Sequence, residues 1–175
     1  MNPVHFRAAA LADSETIASL HVGSWRSAYR GILPDEYLDG PIEKERSGFW
    51  RSRFLSPGAE RRHVLVAETE GVAVGFACVL LDADPVWGAL LDNLHVLPKL
   101  RRSGIGRKLF HGVARWVLSA EPGWAMHLWV FEANESARRF YNALKGEAVE
   151  RLLRQTPAGT ELPFLRYVWR DLSHL

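Results

Sequence analysis

The chain has 175 residues, 47% hydrophobic and 24% charged, the profile of a soluble globular domain rather than a disordered or fibrous one. Its 22 Lys and Arg nearly balance 20 Asp and Glu, and a net charge of +2 sets up no global field for a polyanionic partner. The lone Cys78 excludes an internal disulfide framework, and there is neither a signal-peptide core in MNPVHFRAAA nor a run of 18 apolar residues, so one cytoplasmic domain over residues 1–175 is expected.

In chain order, VHFRAA at residues 4–9 predicts a short strand. Asp13 reads as the N-cap of a first helix, with Glu15 in its first turn, and Ile17, Leu20 and Trp25 recur toward Tyr29 before Gly31 and Pro34 end it. A second helix is expected from near Ile42 through Phe49 and Trp50 to the Pro57-Gly58 break, inside the loop LSPGAERR. Three strand-like runs follow, HVLVAE, GVAVGFACVLL and GALLDNLHVLP, and their short connections predict an antiparallel meander with Cys78 inside a strand. The texture then alternates: a helix from about Gly104 to Ser119, a strand AMHLWVF, a helix NESARRFYNALK, and strands near EAVERLLR and FLRYVWRDL.

The stretch LPKLRRSGIGRKLF, residues 97–110, lies at a strand–loop–helix junction. Ile105, Leu109, Val113, Trp116 and Val117 give the helix one apolar face, so it packs on the sheet. Its first turn aims free backbone N–H groups into the loop, where the helix dipole adds positive charge. Gly104 and Gly106 remove side chains where a phosphate would approach, and Arg101, Arg102, Arg107 and Lys108 surround the position. A dinucleotide fingerprint would need a glycine where Leu109 stands, and no Gly-Lys followed by Ser or Thr is present.

The pattern Arg101-x-x-Gly104-x-Gly106, preceded by Val96-x-Pro98, resembles the pyrophosphate-binding signature of the GNAT superfamily of acyl-CoA-dependent N-acyltransferases. A second block, VFEANESARRFYNALKG, resembles the family's cofactor-contacting helix, and the element order matches along nearly the whole chain. The resemblance implies a mixed α/β (α+β) fold: a mostly antiparallel sheet of about seven strands, flanked by about four helices and splayed at the acyl-CoA site. It implies acetyl-CoA as co-substrate, its pyrophosphate on the loop Arg101, Arg102, Ser103, Gly104, Ile105, Gly106 and Arg107, and its pantetheine arm along Leu94, His95 and Val96. Asn134, Ala137 and Tyr141 would meet the cofactor from the second block. The same residues also have plain structural readings, since Asn134 is a favoured helix N-cap and Tyr141 lies in a stripe with Ala137, Phe140 and Leu144.

The implied reaction is direct attack of an amine, from a small molecule or a peptide or protein N-terminus, on the thioester, through a tetrahedral oxyanion. Tyr141 would protonate the departing thiolate. Asp92 and His95 are the candidate bases, and strand alternation sends them to opposite faces, so at most one faces the acceptor. Acceptor recognition would fall to Trp25, Tyr29, Asp35, Glu36 and Glu161, carboxylates attracting the ammonium and aromatics enclosing it. No metal is expected, because the histidines at 5, 21, 63, 95, 111, 127 and 174 form no close ligand pair. Nucleic acid is disfavoured, since Phe110 is the one aromatic within the basic stretch, and no membrane partner is indicated. A non-catalytic acyl-CoA sensor on the same fold stays open, as does a homodimer.

Overall fold

A computed structural model describes residues 3–175. The strands are β1 (His5–Ala8), β2 (Arg62–Thr69), β3 (Val72–Asp84), β4 (Gly88–Val96), β5 (Met126–Phe131), β6 (Glu147–Gln155) and β7 (Glu161–Trp169). The α-helices are α1 (Ser14–Ala28), α2 (Asp35–Asp39), α3 (Ile42–Leu55), α4 (Ile105–Ala120) and α5 (Glu135–Ala143). The sheet runs β1-β2-β3-β4-β5-β7-β6, antiparallel throughout except for β4 and β5. Helix α2, one turn after Pro34, is the element sequence periodicity did not find, because five residues are too few to show a helical repeat. With it, five α-helices flank the sheet among the described residues, in keeping with the expected mixed, mostly antiparallel fold.

Two apolar layers sandwich it. Leu109, Phe110, Val113 and Val117 of α4 pack on one face against Ala77, Val79 and Leu91, with Tyr141 and Leu144 of the α5 segment joining them. Ile17, Ala18 and Leu20 of α1 and Trp50 of α3 cover Val64, Val66, Phe76 and Cys78 on the other. Burying such side chains contributes roughly 1.5–3 kcal/mol each, and this dictates which helix stripe meets which strand face. Asp13 departs from expectation. It has helical φ and ψ as the last residue of a 3-10 turn, and its carboxylate accepts from Ala10 N at 2.7 Å and from Arg7 at 2.7 and 2.9 Å instead of capping α1.

Two irregularities of β4 open and shape a cleft in the sheet. Its parallel pairing with β5 extends only over Ala89↔Met126 and Leu90↔His127, after which the strands diverge, leaving the β5-facing backbone of residues 91–96 without a ladder partner. On its other side β4 carries a bulge: Cys78 pairs with Asn93 and Val79 with Leu91, so Asp92 has no opposite number. Gly75 of β3 lets the end of β4 approach, since a Cβ there would stand 2.8 Å from the His95 carbonyl oxygen.

Candidate active site

The loop after β4 is a built turn. Pro98–Leu100 form a 3-10 turn, Ser103 Oγ donates to Leu100 O at 2.6 Å, and Arg102 and Gly104 both take left-handed conformations, φ +65° and +84°. Gly104 is the N-cap of α4 and Ile105 is buried, so the free N–H groups of the first turn open onto the mouth of the splay. Arg101, Arg102 and Arg107 are exposed around it. Gly104 is required by its φ. Gly106 is not, for a methyl there would make ordinary contacts with Phe140 at 3.5 Å and Leu94 at 3.7 Å.

The splay connects the two faces of the sheet. From the α4 side comes Tyr141, 9% exposed, its ring packed on Phe140, Tyr167 and Trp169. Its hydroxyl has no hydrogen-bond partner among the described residues, and burial, reinforced by Tyr29, pushes its pKa above the ordinary phenol value. From the α1 side come Tyr29, pushed up to about 12 by burial, and His95, pushed down to about 3 by burial and then by the Arg101 guanidinium. His95 Nδ1 and Ser24 Oγ are 3.0 Å apart. At neutral pH both phenols hold their protons and the imidazole is uncharged.

Asn134 caps α5, its Oδ1 accepting from Ala137 N at 3.1 Å, which fixes the start of the helix that carries Tyr141. Leu94 and Val96 turn toward α4.

The bulge overturns the expectation for Asp92 and His95. Regular alternation would separate them. The extra residue restores both to the α1–α3 face, where Arg53 of α3 reaches Asp92 at 2.5 Å and Ser24 of α1 reaches His95. Asp92 is nonetheless occupied, accepting from Arg53 Nη1 and from Asn93 Nδ2 at 2.7 Å.

The expected acceptor carboxylates are not gathered. Asp35 is held by Arg30 at 2.9 Å, and Glu36 is exposed. Glu161 is exposed at the start of β7, and alternation turns it away from its neighbour Leu162, which packs in the cluster of Trp25 and Tyr29. Trp25 and Tyr29 do stand in the cleft, in one aromatic row with Phe131, ring centroids 5.3 and 4.9 Å apart. What sequence reasoning missed is the cationic wall. Arg46 and Arg53 of α3 lie over Phe49 at 4.8 and 4.4 Å, and Arg154 of β6 lies over Trp129 at 4.7 Å. The spacing of Arg46, Phe49 and Arg53 on a helix carried that signal. Among the described residues no group of three or more His, Cys, Asp and Glu could hold a metal ion, and no helix is long and apolar enough to cross a membrane.

A splayed β4–β5 pair, a glycine loop on a helix N-terminus and a capped second helix define a recognisable class. Residues 24–146 match the model of the acetyltransferase (GNAT) family, and the chain belongs to that family. It is 34% identical over 176 residues to the "uncharacterized N-acetyltransferase YuaI" of Bacillus subtilis, covering 98% of this chain and 96% of that protein. Among solved structures, PaiA N-acetyltransferase from Thermoplasma acidophilum in complex with coenzyme A superposes with a TM-score of 0.76 at 18% identity, covering 97% of this chain and 99% of that one. The structure of yncA from Salmonella typhimurium with acetyl-CoA gives 0.68 at 19% identity, covering 97% and 94%. At such identities these two likenesses show the shared fold.

Proposed function

We propose that the chain transfers an acetyl group from acetyl-CoA to a primary amine by direct attack within a ternary complex. The observation that carries this reading is the splay: the β5-facing backbone of β4, free of a ladder partner from residue 91 to 96, leads from the Gly104 turn to the unpartnered Tyr141 hydroxyl. The pyrophosphate lies on the N–H groups of the loop and first turn, with Arg101, Arg102 and Arg107 as its rim, and the pantetheine amides pair with the free edge of Leu94, His95 and Val96. The acetyl oxygen faces backbone N–H groups in the splay, which stabilise the oxyanion because they have no competing partner. Tyr141, kept protonated by burial, delivers its proton to the departing thiolate.

His95 is the better placed of the two candidate bases, since Asp92 has given its oxygens to Arg53 and Asn93. It presents a neutral imidazole that orients the incoming nitrogen. The ammonium releases one proton to solvent on entering, because the desolvation and arginine charges that lower the pKa of His21 and His95 also lower that of a bound ammonium, and the proton shed by the attacking nitrogen as the amide forms returns through water to the phenolate left on Tyr141. The reading is tested by supplying acetyl-CoA with a panel of amines and N-terminal peptides and following thiol release. Tight binding of acetyl-CoA with no turnover on any acceptor would replace it with the sensor reading.

A further inference from the structure

The acceptor side of the cleft holds hydrogen-bond donors that lack acceptors. Trp50 Nε1 donates to His21 Nδ1 at 3.0 Å. An indole nitrogen is only a donor, so Nδ1 of this neutral histidine is bare and its proton sits on Nε2. That N–H is buried and unpartnered on a side chain 1% exposed. Two more donors share its condition, Trp25 Nε1 and Arg46 Nε. The three form one patch: the His21 and Trp25 rings are 4.8 Å apart, and the Arg46 guanidinium lies 5.1 Å from the Trp25 ring centre. Three buried N–H groups facing no oxygen is a costly arrangement, of the order of 1–3 kcal/mol for each.

The protein does not supply the missing oxygens. Glu45 accepts from the Tyr37 hydroxyl at 2.7 Å, Asp92 is held by Arg53, and Arg46 makes no ion pair among the described residues. The local field is positive, as His21 records: after burial and His95, Arg46 and Arg53 drive its pKa further down. An acceptor that is only an amine would leave these donors unmet and bring its ammonium against two guanidinium groups.

Resting on the acetyl-transfer reading, we propose that the acceptor amine also carries a carboxylate, a free amino acid being the simplest example. Arg46 holds the carboxylate beside Trp25 and His21 while the amine lies toward His95. The two subsites are adjacent, with the His21 and His95 rings 4.6 Å apart, so one small molecule spans them. A carboxylate offers two oxygens with about four lone-pair sites, enough for the guanidinium and both ring N–H groups. Trp25 and Arg46 are half-buried, so a modest swing of the arginine side chain admits it. The chemistry inverts the sequence-based expectation, in which carboxylates would attract an ammonium.

The test compares free amino acids with their carboxamides, using wild-type protein and Arg46→Gln, by initial rates of CoA thiol release. The amide's amine is less basic and so more available at neutral pH, which makes the comparison stringent. The expected result is a kcat/KM for the carboxylate at least about 10- to 100-fold above that of the amide, the range charged hydrogen bonds supply. Arg46→Gln collapses the ratio between amino acid and amide, chiefly through KM for the amino acid, and leaves the affinity for acetyl-CoA as in wild type. Should Arg46→Gln fail to fold, the wild-type ratio alone decides. Amides or plain amines turned over as well as amino acids would overturn this inference and leave acetyl transfer standing. No turnover on any acceptor, with acetyl-CoA bound, takes both down.

Discussion

Replacing Tyr141 with phenylalanine removes one oxygen and leaves the packing in place. The ring keeps its neighbours, with centroids of Phe140, Tyr167 and Trp169 at 5.3, 5.9 and 5.9 Å, and no hydrogen bond is lost within the protein. Stability should change by no more than about 0.5 kcal/mol, because the ring packing is kept and no hydrogen bond within the protein is removed. If that hydroxyl delivers the proton to the thiolate, its loss removes roughly 10²–10³-fold from kcat, about 3–4 kcal/mol of barrier. The measurement is kcat at saturating acetyl-CoA by thiol release with a disulfide reagent. Cys78 adds no background, being fully buried with its thiol pushed up to about 11. Cofactor affinity and melting temperature are read alongside. A folded variant whose kcat stays within about threefold of wild type would refute the proton-donor role, and equal losses in kcat and cofactor affinity would recast Tyr141 as a binding residue.

Three further outcomes are expected. Gly104→Val, forced to φ +84°, should cost about 1–2 kcal/mol of stability and abolish acetyl-CoA binding, whereas Gly106→Ala should fold normally; calorimetry separates the two, and full affinity in Gly104→Val would exclude the loop as the phosphate site. Asn134→Ala should lose the cap on α5 at about 1 kcal/mol, lowering the melting temperature by about 2–4 °C; an unchanged melting point would mean the cap is not made. The folded pKa values of His21 and His95 both lie below the unfolded value of 6.5; for His95, at about 3, the contribution is complete above pH 6.5 and lost as pH falls through the window toward about 3. At pH 5 the neutral His95 should cost about 2 kcal/mol, and His95→Gln should remove that share in denaturant titrations at pH 7.5 and 5; identical losses in variant and wild type would show His95 to be solvated.

Most of the scaffold was legible because its signals are local. The 3.6-residue stripe of α4 and the strand runs around Val64, Phe76 and Leu91 are set by side chains within one turn or one strand. The glycine loop was legible for the same reason: a left-handed position at an N-terminus needs a glycine at a fixed offset. The acceptor side was not. Which carboxylates would face it depends on partners far along the chain, as in Arg53 with Asp92 and Arg30 with Asp35, and these exist only after folding.

The sequence by itself determined the order of the strands and the longer helices, the helix terminus that follows the glycine loop and the family resemblance, since each follows from periodicity and short motifs. Tertiary structure alone decided the face of Asp92, because a bulge depends on the register between two strands and that register is fixed by packing. It also decided the charge of the cleft on the α1–α3 face. Arg46, Trp25 and His21 come from two helices, and only their packing together turns three ordinary side chains into a set of donors awaiting an oxygen.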